Sequence, residues 1–271
     1  MSSLHKISVS SILIFLCINA AAEDPYRPLA GATEAGTGYA CITKNSFWSS
    51  FHNQALLANF NDPAFGFNYQ DRYGIDELAT KSAGVIMPAG KASIGVVYSY
   101  FGYRDYRREM AALACGLELS DKISAGVQAD YFLQRTSVES FDNSQAVICE
   151  AGMLINLGKT SIGFHVFNPL PHSWYKSEFP SILRIGVGNK LTESLFAAAE
   201  AEMSTGHIPL FRTGFEYEAF AKVLLRGGFS TDNNSFSFGL GYHLRFMQMD
   251  LAFSTHDRLG VTSSASMVFI L

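Results

Sequence analysis

The chain has 271 residues, of which 48% are hydrophobic and 13% aromatic, and it carries a formal net charge of -4. This length suits one large β-domain or two small domains. The acidic balance and the lack of any basic run exclude a nucleic-acid footprint, so we expect no nucleic-acid partner.

Residues 1–22 have the pattern of a cleaved signal peptide. Lys6 supplies the basic region, and residues 11–18 (SILIFLCI) form an apolar run too short to span a bilayer. The small residues 20–22 (AAA) provide a cleavage site. No later stretch reaches the roughly 18 apolar residues of a membrane helix. An exported membrane protein with this sequence must therefore be a barrel.

Residues 23–63 differ from the rest of the chain. Pro and Gly recur between residues 25 and 38, which indicates a loose start. Residues 47–57 (FWSSFHNQALL) predict a short helix, which Asn59, Asn61, Asp62 and Pro63 end. We interpret residues 23–63 as a hatch or plug segment that precedes the barrel of residues 64–271.

From residue 64 onward, apolar side chains fall on alternate positions, as in residues 236–246 (FSFGLGYHLRF). A period of two indicates strands with one apolar and one polar face. Tight turns alternate with longer loops, as in outer-membrane barrels. The pattern predicts about 14 strands, at residues 64–72, 78–87, 92–103, 106–119, 122–135, 145–156, 160–168, 180–189, 194–203, 210–218, 222–230, 235–246, 247–255 and 261–270.

Charges of both signs are expected on the polar face, and the apolar face is expected to be free of charge. A soluble sandwich would also place charges on one face. Long strands, an unbroken apolar face and aromatics near strand ends favour a transmembrane antiparallel β-barrel with a short lumenal hatch. We predict lumen-facing ion pairs among Asp130, Glu150, Arg184, Glu200, Glu202, Arg212, Glu216, Lys222, Arg226, Arg245 and Asp250.

Several short stretches carry a family resemblance. Residues 31–40 (GATEAGTGYA) are similar to a small-residue opening, and residues 51–58 (FHNQALLA) to an Asn-Pro-Ala-Gly-Leu-Ala motif. Residues 77–84, 126–131 and 235–242 follow in the same order. The chain thereby resembles the FadL-like outer-membrane barrels, in particular the PorV/PorQ-like branch of the Bacteroidetes type. Gln54 and Leu56 depart from the motif, where the family has Pro and Gly.

The resemblance implies a barrel in the outer membrane of a Gram-negative bacterium, in contact with its lipid. In one hypothesis, small hydrophobic molecules pass through the hatch. In the other, the barrel is a scaffold or shuttle for export-system proteins, as in type IX secretion. For the first hypothesis we predict a ligand-binding pocket lined by hatch residues Phe47, Trp48, Phe51, His52, Asn53, Leu56 and Leu57.

The longest outer loop, residues 169–179, contains Trp174 and Tyr175. An exposed aromatic pair of this kind contacts a partner or ligand, or it rests at the membrane interface. The sequence leaves both interpretations open. Residues 169–179 are the candidate partner surface.

Catalysis is not expected. Ser254 and His256 share a face near the outer rim, but Asp257 has the opposite parity, and a nucleophile needs an oriented base and acid. Glu200 and Glu202 are flanked by arginines, which favours structural ion pairs. The cysteines and histidines lack the spacing of a metal site, so we expect no metal, no cofactor and no enzymatic activity.

Overall fold

A computed structural model of the chain describes residues 27–137, 143–169 and 179–271. Over these residues, fourteen antiparallel strands form a closed barrel in which sequence neighbours pair and β1 pairs with β14. This confirms the predicted fold class. The predicted signal peptide and the first residues of the hatch, 23–26, lie outside the described residues. None of the described helices has both the length and the apolar character needed to cross a membrane.

The strand boundaries agree with the predicted ranges to within a few residues. The strands are β1 (Ala64–Arg72), β2 (Thr80–Ala89), β3 (Ala92–Gly102), β4 (Tyr106–Ser120), β5 (Ile123–Thr136), β6 (Ser144–Leu157), β7 (Thr160–Phe167), β8 (Ile182–Lys190), β9 (Leu195–Ser204), β10 (Leu210–Phe220), β11 (Val223–Ser230), β12 (Ser235–His243), β13 (Met247–His256) and β14 (Gly260–Ile270).

Two faces with opposite exposure alternate along each strand. Leu113, Val127 and Val147 point outward and are 59%, 60% and 62% exposed, whereas the adjacent Gln128 and Ile148 point inward and are buried. An apolar outer surface and a polar lumen are typical of a barrel in lipid. The connections β2–β3, β4–β5, β6–β7, β8–β9, β10–β11 and β12–β13 lie at one end of the barrel, which is called the turn rim. The other connections lie at the opposite end, which is called the loop rim. Short turns face the periplasm in such barrels, which makes the loop rim the outer one.

Residues 27–63 fill the lumen and are called the plug here. Its helix α1 (Ala32–Gly36) contacts β11–β14, and a 3₁₀ helix (Gln54–Asn59) contacts β3–β6. Between them lies a second 3₁₀ helix, Phe47–Phe51. The two halves of the plug therefore rest against opposite walls of the barrel.

The single helix predicted over residues 47–57 is in fact two 3₁₀ helices. The backbone of Asn53 between them is extended, and its side chain accepts a hydrogen bond from the Ala55 amide at 3.2 Å. The Asn53 amide also donates to the Ile42 carbonyl at 2.7 Å. Because Asn favours caps over helix interiors, these two bonds stop the first helix and start the second.

Lumen-facing glycines let the plug backbone reach the wall. A Cβ on Gly116 would lie 2.6 Å from the Gln54 carbonyl oxygen, and one on Gly126 would lie 2.6 Å from the Ala55 nitrogen. On the opposite wall, Gly228 leaves room for the backbone at Thr37 in the same way. Glycine inside a strand weakens the strand and marks a close backbone approach. These glycines therefore lower the strand propensity of the wall but allow the plug backbone to pack against it.

We predict that Gly126→Ala destabilises the seated plug by about 2 kcal/mol, because the new methyl group overlaps backbone atoms of Gln54 that cannot rotate away. The expected result is faster cleavage by trypsin after Lys44, within the plug. The matched control is Gly84→Ala, whose Cβ would meet only side chains of Val97 and Phe47, at 3.1 Å and 3.5 Å. Equal cleavage rates for the two variants would contradict the close-approach argument.

Candidate functional site: the plug and the outer chamber

An ion pair on the wall holds the plug by its backbone. Arg184 on β8 and Glu200 on β9 are paired and buried. Glu200 accepts hydrogen bonds from the amides of Cys41 and Ile42, at 3.2 Å and 3.4 Å. Arg184 donates to the carbonyl of Tyr39 at 3.2 Å. Wall charges thus satisfy plug groups that have no helix or strand partner.

The same cluster extends to the start of the plug. Glu202 pairs with Arg212 on β10 at 2.8 Å and with Arg27 of the plug at 3.0 Å. All three side chains are buried. Because a buried charge that loses its partner is costly, Arg27 ties the first described residues of the plug to the wall.

A second ionic chain holds the middle of the plug. Lys44 pairs with Glu216, which pairs with Arg226 at 2.6 Å. Arg226 reaches Asp250 at 2.6 Å, and His243 lies 2.9 Å from the same carboxylate. Burial lowers the pKa of Lys44, and the Glu216 carboxylate opposes that change. Positive and negative side chains alternate along this series of ion pairs, so each charged group contacts an opposite charge.

A third polar cluster lies against the last helix of the plug. The Gln54 amide donates to Glu150 at 2.7 Å, and His165 contacts the same carboxylate oxygen at 2.7 Å. Nearby on β5, Gln128 donates to Asp130 at 2.7 Å. Gln54 is therefore a polar anchor of the plug.

Two predicted ion-pair residues do not face the lumen. Lys222 and Arg245 are exposed, in the β10–β11 and β12–β13 turns. The prediction extended the alternation of inward and outward side chains from the strands into the turns. The alternation stops in a turn, as the φ of 78° at Lys222 shows. The structure places the other nine candidates at lumen-facing strand positions.

Inside the plug, Glu34 is a buried acid that the sequence did not single out. Its Oε1 accepts from the Ser46 hydroxyl, and its Oε2 has no partner among the described residues. Burial raises the pKa of the Glu34 carboxyl to about 7, against the opposing effects of Ser46 and Arg226. A carboxyl with one unsatisfied oxygen is most stable there when protonated.

The aromatic residues predicted to line a ligand pocket lie in a sealed interface. Phe47, Trp48 and Phe51 are at most 4% exposed and pack with wall residues in one apolar cluster. Leu56 and Leu57 are equally buried, and Nε2 of His52 donates to the Ala30 carbonyl at 2.8 Å. Burial and the nearby Arg184 hold the pKa of His52 well below its usual range. These residues form the buried body of the plug.

An open space lies instead between the plug and the loop rim, and it is called the outer chamber. The empty space, which includes open solvent, is about 600 Å³, and about 40 Å³ of it admits the centre of a water-sized sphere. Its apolar lining comes from Phe101, Met110, Phe132, Ala146 and Phe179, and its basic groups are Arg27, Arg72 and Arg108. Nη1 of Arg27 has no partner among the described residues. A mainly apolar cavity with a few polar groups is the usual form of a small-molecule site.

No protein-family model matches the sequence, and no curated protein matches it. Solved structures do match. The Ralstonia pickettii toluene transporter TbuX aligns at 12% identity with a TM-score of 0.63, over 91% of this chain and 98% of that one. The Pseudomonas putida toluene transporter TodX aligns at 12% identity with a TM-score of 0.65, over 89% and 97%.

A Pseudomonas aeruginosa FadL homologue also aligns at 12% identity, with a TM-score of 0.59, over 90% of this chain and 98% of that one. The chain has a FadL-like fold. Identities this low establish the architecture alone, so the roles of individual residues rest on the geometry described above.

Ser254 and His256, from which no catalysis was expected, each make other hydrogen bonds at the loop rim. The Ser254 hydroxyl pairs with the Ser237 hydroxyl at 3.0 Å. Nδ1 of His256 accepts from the amides of Arg258 and Leu259, at 3.1 Å and 3.3 Å. The histidine thus caps its own loop, and no hydrogen bond joins it to Ser254 among the described residues. The described residues contain no cluster of candidate metal ligands.

Three further charged residues, which the sequence pattern did not predict, join the plug to itself or to the wall: Arg27, Glu34 and Lys44. All three lie in a segment without periodicity, so no parity argument applied to them. One signal was present, because charged residues are rare in the plug and a charge inside a lumen must find a partner. The outer chamber was also missed, since its lining comes from several strands that are distant in sequence.

We predict that Glu34 makes the seated plug less stable as pH rises from about 4.5 to about 7. Its pKa is raised on folding, so the protonated form stabilises the seated plug fully at low pH, and this contribution of about 3 kcal/mol is lost across that window. Hydrogen exchange of plug amides, taken as the ratio of wild type to Glu34→Gln at each pH, should show this trend. A ratio that is flat between pH 4.5 and 7 would overturn the assignment.

We further predict that Glu200→Gln costs about 3 kcal/mol of plug stability, because it removes the nearer counter-charge of buried Arg184 and leaves only Glu202, at 3.5 Å. The measurement is urea unfolding, followed by protease protection of the plug. Glu218→Gln, at an exposed position near the turn rim, is the matched control and should change stability by less than about 0.5 kcal/mol. A similar loss in both variants would refute the clamp.

Proposed function

We propose that this protein is an outer-membrane channel for small hydrophobic molecules, in which the outer chamber binds the ligand and the plug is the gate. The observation that carries this is the position of the chamber. It is an apolar cavity directly above the plug, and Arg27 belongs to both. The transport named for TbuX and TodX supports the same assignment.

The lining narrows the ligand class. Arg27, Arg72 and Arg108 contribute to the chamber, whereas the lining residue Glu109 binds Tyr98 and Arg107 on the outer face of the barrel. The described lining is therefore apolar with a basic margin. We infer an amphiphile with an anionic end, such as a fatty acid, in preference to a neutral hydrocarbon, because arginine forms strong bonds to carboxylates.

The proposal places the protein in the outer membrane of a Gram-negative bacterium, after export by the signal peptide of residues 1–22. The predicted hatch residues Phe47, Trp48, Phe51, His52, Asn53, Leu56 and Leu57 then act as the body of the gate. The alternative, a PorV/PorQ-type export scaffold, depends on Trp174 and Tyr175. Both lie outside the described residues, so this alternative stays a sequence-based hypothesis.

We expect Ala146→Trp to reduce uptake of labelled oleate at least about tenfold, because the indole fills the apolar chamber above the plug. Val147→Trp is the matched control, since the neighbouring side chain points to lipid and is 62% exposed. Uptake is measured in a null strain that expresses each variant at equal outer-membrane levels. Toluene is tested in parallel to separate anionic from neutral ligands.

Three results would count against the proposal. If the null strain takes up both compounds as fast as the complemented strain, the protein does not carry this ligand class. If Ala146→Trp and Val147→Trp behave alike, the chamber is not on the path. If toluene uptake depends on the protein and oleate uptake does not, the anionic-end assignment is wrong.

A further inference from the structure

The outward face of the barrel carries charge in one sector only. Outward-facing Asp71, Lys81, Arg107, Glu109 and Arg135 lie on β1, β2, β4 and β5, near the loop rim. On the described outward positions of β6–β14 there is no Asp, Glu, Lys or Arg. The expectation of a charge-free apolar face is therefore wrong for this sector. Charge facing lipid is costly at mid-membrane but much less so near the interface.

Two of these cations oppose each other directly. Arg107 on β4 is the register partner of Arg135 on β5. Arg107 pairs with Glu109 at 3.0 Å, and Glu109 also accepts from the Tyr98 hydroxyl at 2.8 Å. Arg135 is exposed and has no ion pair among the described residues. Like charges directly across a sheet repel, and Glu109 offsets only the charge of Arg107, so an anion between the two arginines would stabilise the pair.

The depth of the cations matches the headgroup region. The outward tyrosines Tyr98, Tyr100 and Tyr131 form the aromatic girdle that marks the membrane interface in such barrels. In the strand register, Tyr100 of the girdle lies opposite Glu109, which lies opposite Leu133. Arg107 and Arg135 are each two residues, or about 7 Å, closer to the loop rim than this row. Their guanidinium groups therefore sit where lipid phosphates lie.

An apolar groove runs beside this cationic sector on the same outer surface. It has a volume of about 830 Å³, and Lys81 and Tyr100 lie among its lining residues. Ala83 and Ala265 are its smallest outward side chains, between the larger Phe67, Tyr98 and Tyr242. The groove can hold acyl chains, while Lys81 extends its charged end toward the headgroups.

We propose that this sector binds a phosphate-bearing lipid of the outer leaflet, with the phosphate between Arg107 and Arg135 and an acyl chain in the groove beside Lys81. The occupant comes from the bilayer because the site faces the membrane. Phosphate suits the paired arginines because guanidinium groups bind its oxygens bidentately. Asp71 and Glu109 leave the five-residue set with one excess positive charge, so Glu109 competes with the phosphate for Arg107.

The test measures lipid binding by the purified barrel in detergent, using native mass spectrometry. The probes are diphosphoryl lipid A, the same lipid dephosphorylated, and inorganic phosphate. The variant is Arg107→Gln with Arg135→Gln, and the matched control is Lys159→Gln with Lys190→Gln, two exposed cations of the turn rim. Heat-modifiability on gels verifies that each variant is folded.

Wild type and control should bind diphosphoryl lipid A equally, and the double arginine variant should bind it about tenfold more weakly. Dephosphorylated lipid should bind wild type as weakly as the phosphorylated lipid binds the arginine variant. Glu109→Gln should strengthen binding, because it removes the competing carboxylate. A purely structural role for these charges does not predict that gain.

Three outcomes would overturn the proposal. The first is equal binding of lipid A to wild type and to the folded arginine variant. The second is equal binding of the phosphorylated and dephosphorylated lipids. The third is displacement of lipid A by millimolar inorganic phosphate, which would make this a site for free anions. Since uptake of oleate is measured separately, failure here leaves the transport proposal untouched.

Discussion

A peptide segment buried in a lumen must have its backbone amides and carbonyls satisfied, and this requirement organises the barrel. The plug forms only short helices, so many of its polar groups cannot bond to each other. Arg184 and Glu200 satisfy four of them from the wall, at Tyr39, Cys41, Ile42 and His52. A neutral wall could bond to these groups as well, but with weaker hydrogen bonds than charged donors and acceptors provide.

Charge in the lumen has a second consequence. A buried ion pair adds little net stability over an apolar contact, because desolvation offsets most of the attraction, while breaking the pair is expensive. The three clusters at Arg27, Lys44 and Gln54 therefore fix the position of the plug more than they stabilise the barrel. Between them, Phe47, Trp48 and Phe51 supply the apolar burial. The plug is thus located by polar contacts and held by hydrophobic ones.

The sequence predicted the barrel well because strand alternation is a local signal. Parity assigned Arg184, Glu200 and Glu202 to the lumen without any knowledge of their partners. It failed where alternation ends, as at Lys222 and Arg245, which lie in turns. It also did not predict that Arg107 and Glu109 point outward. Both lie near the start of a long strand, and the face was assigned from the apolar residues at the centre of that strand. The plug was harder still, because Asn53 breaks its helix through a bond to Ile42, eleven residues away.

The three anchors of the plug, at Arg27, Lys44 and Gln54, bind to different strands of the barrel wall, and this limits how a gate could open. Lys44 is tied to β10 and β11 through Glu216 and Arg226, and Gln54 is tied to β6 through Glu150. Only Arg27 touches the outer chamber. A ligand anion that competes with Glu202 for Arg27 would weaken the first anchor and leave the other two intact. Under the proposed function, opening would then begin at the first described residues of the plug and stop before Tyr39, because Arg184 and Glu200 still hold Tyr39, Cys41 and Ile42 to the wall.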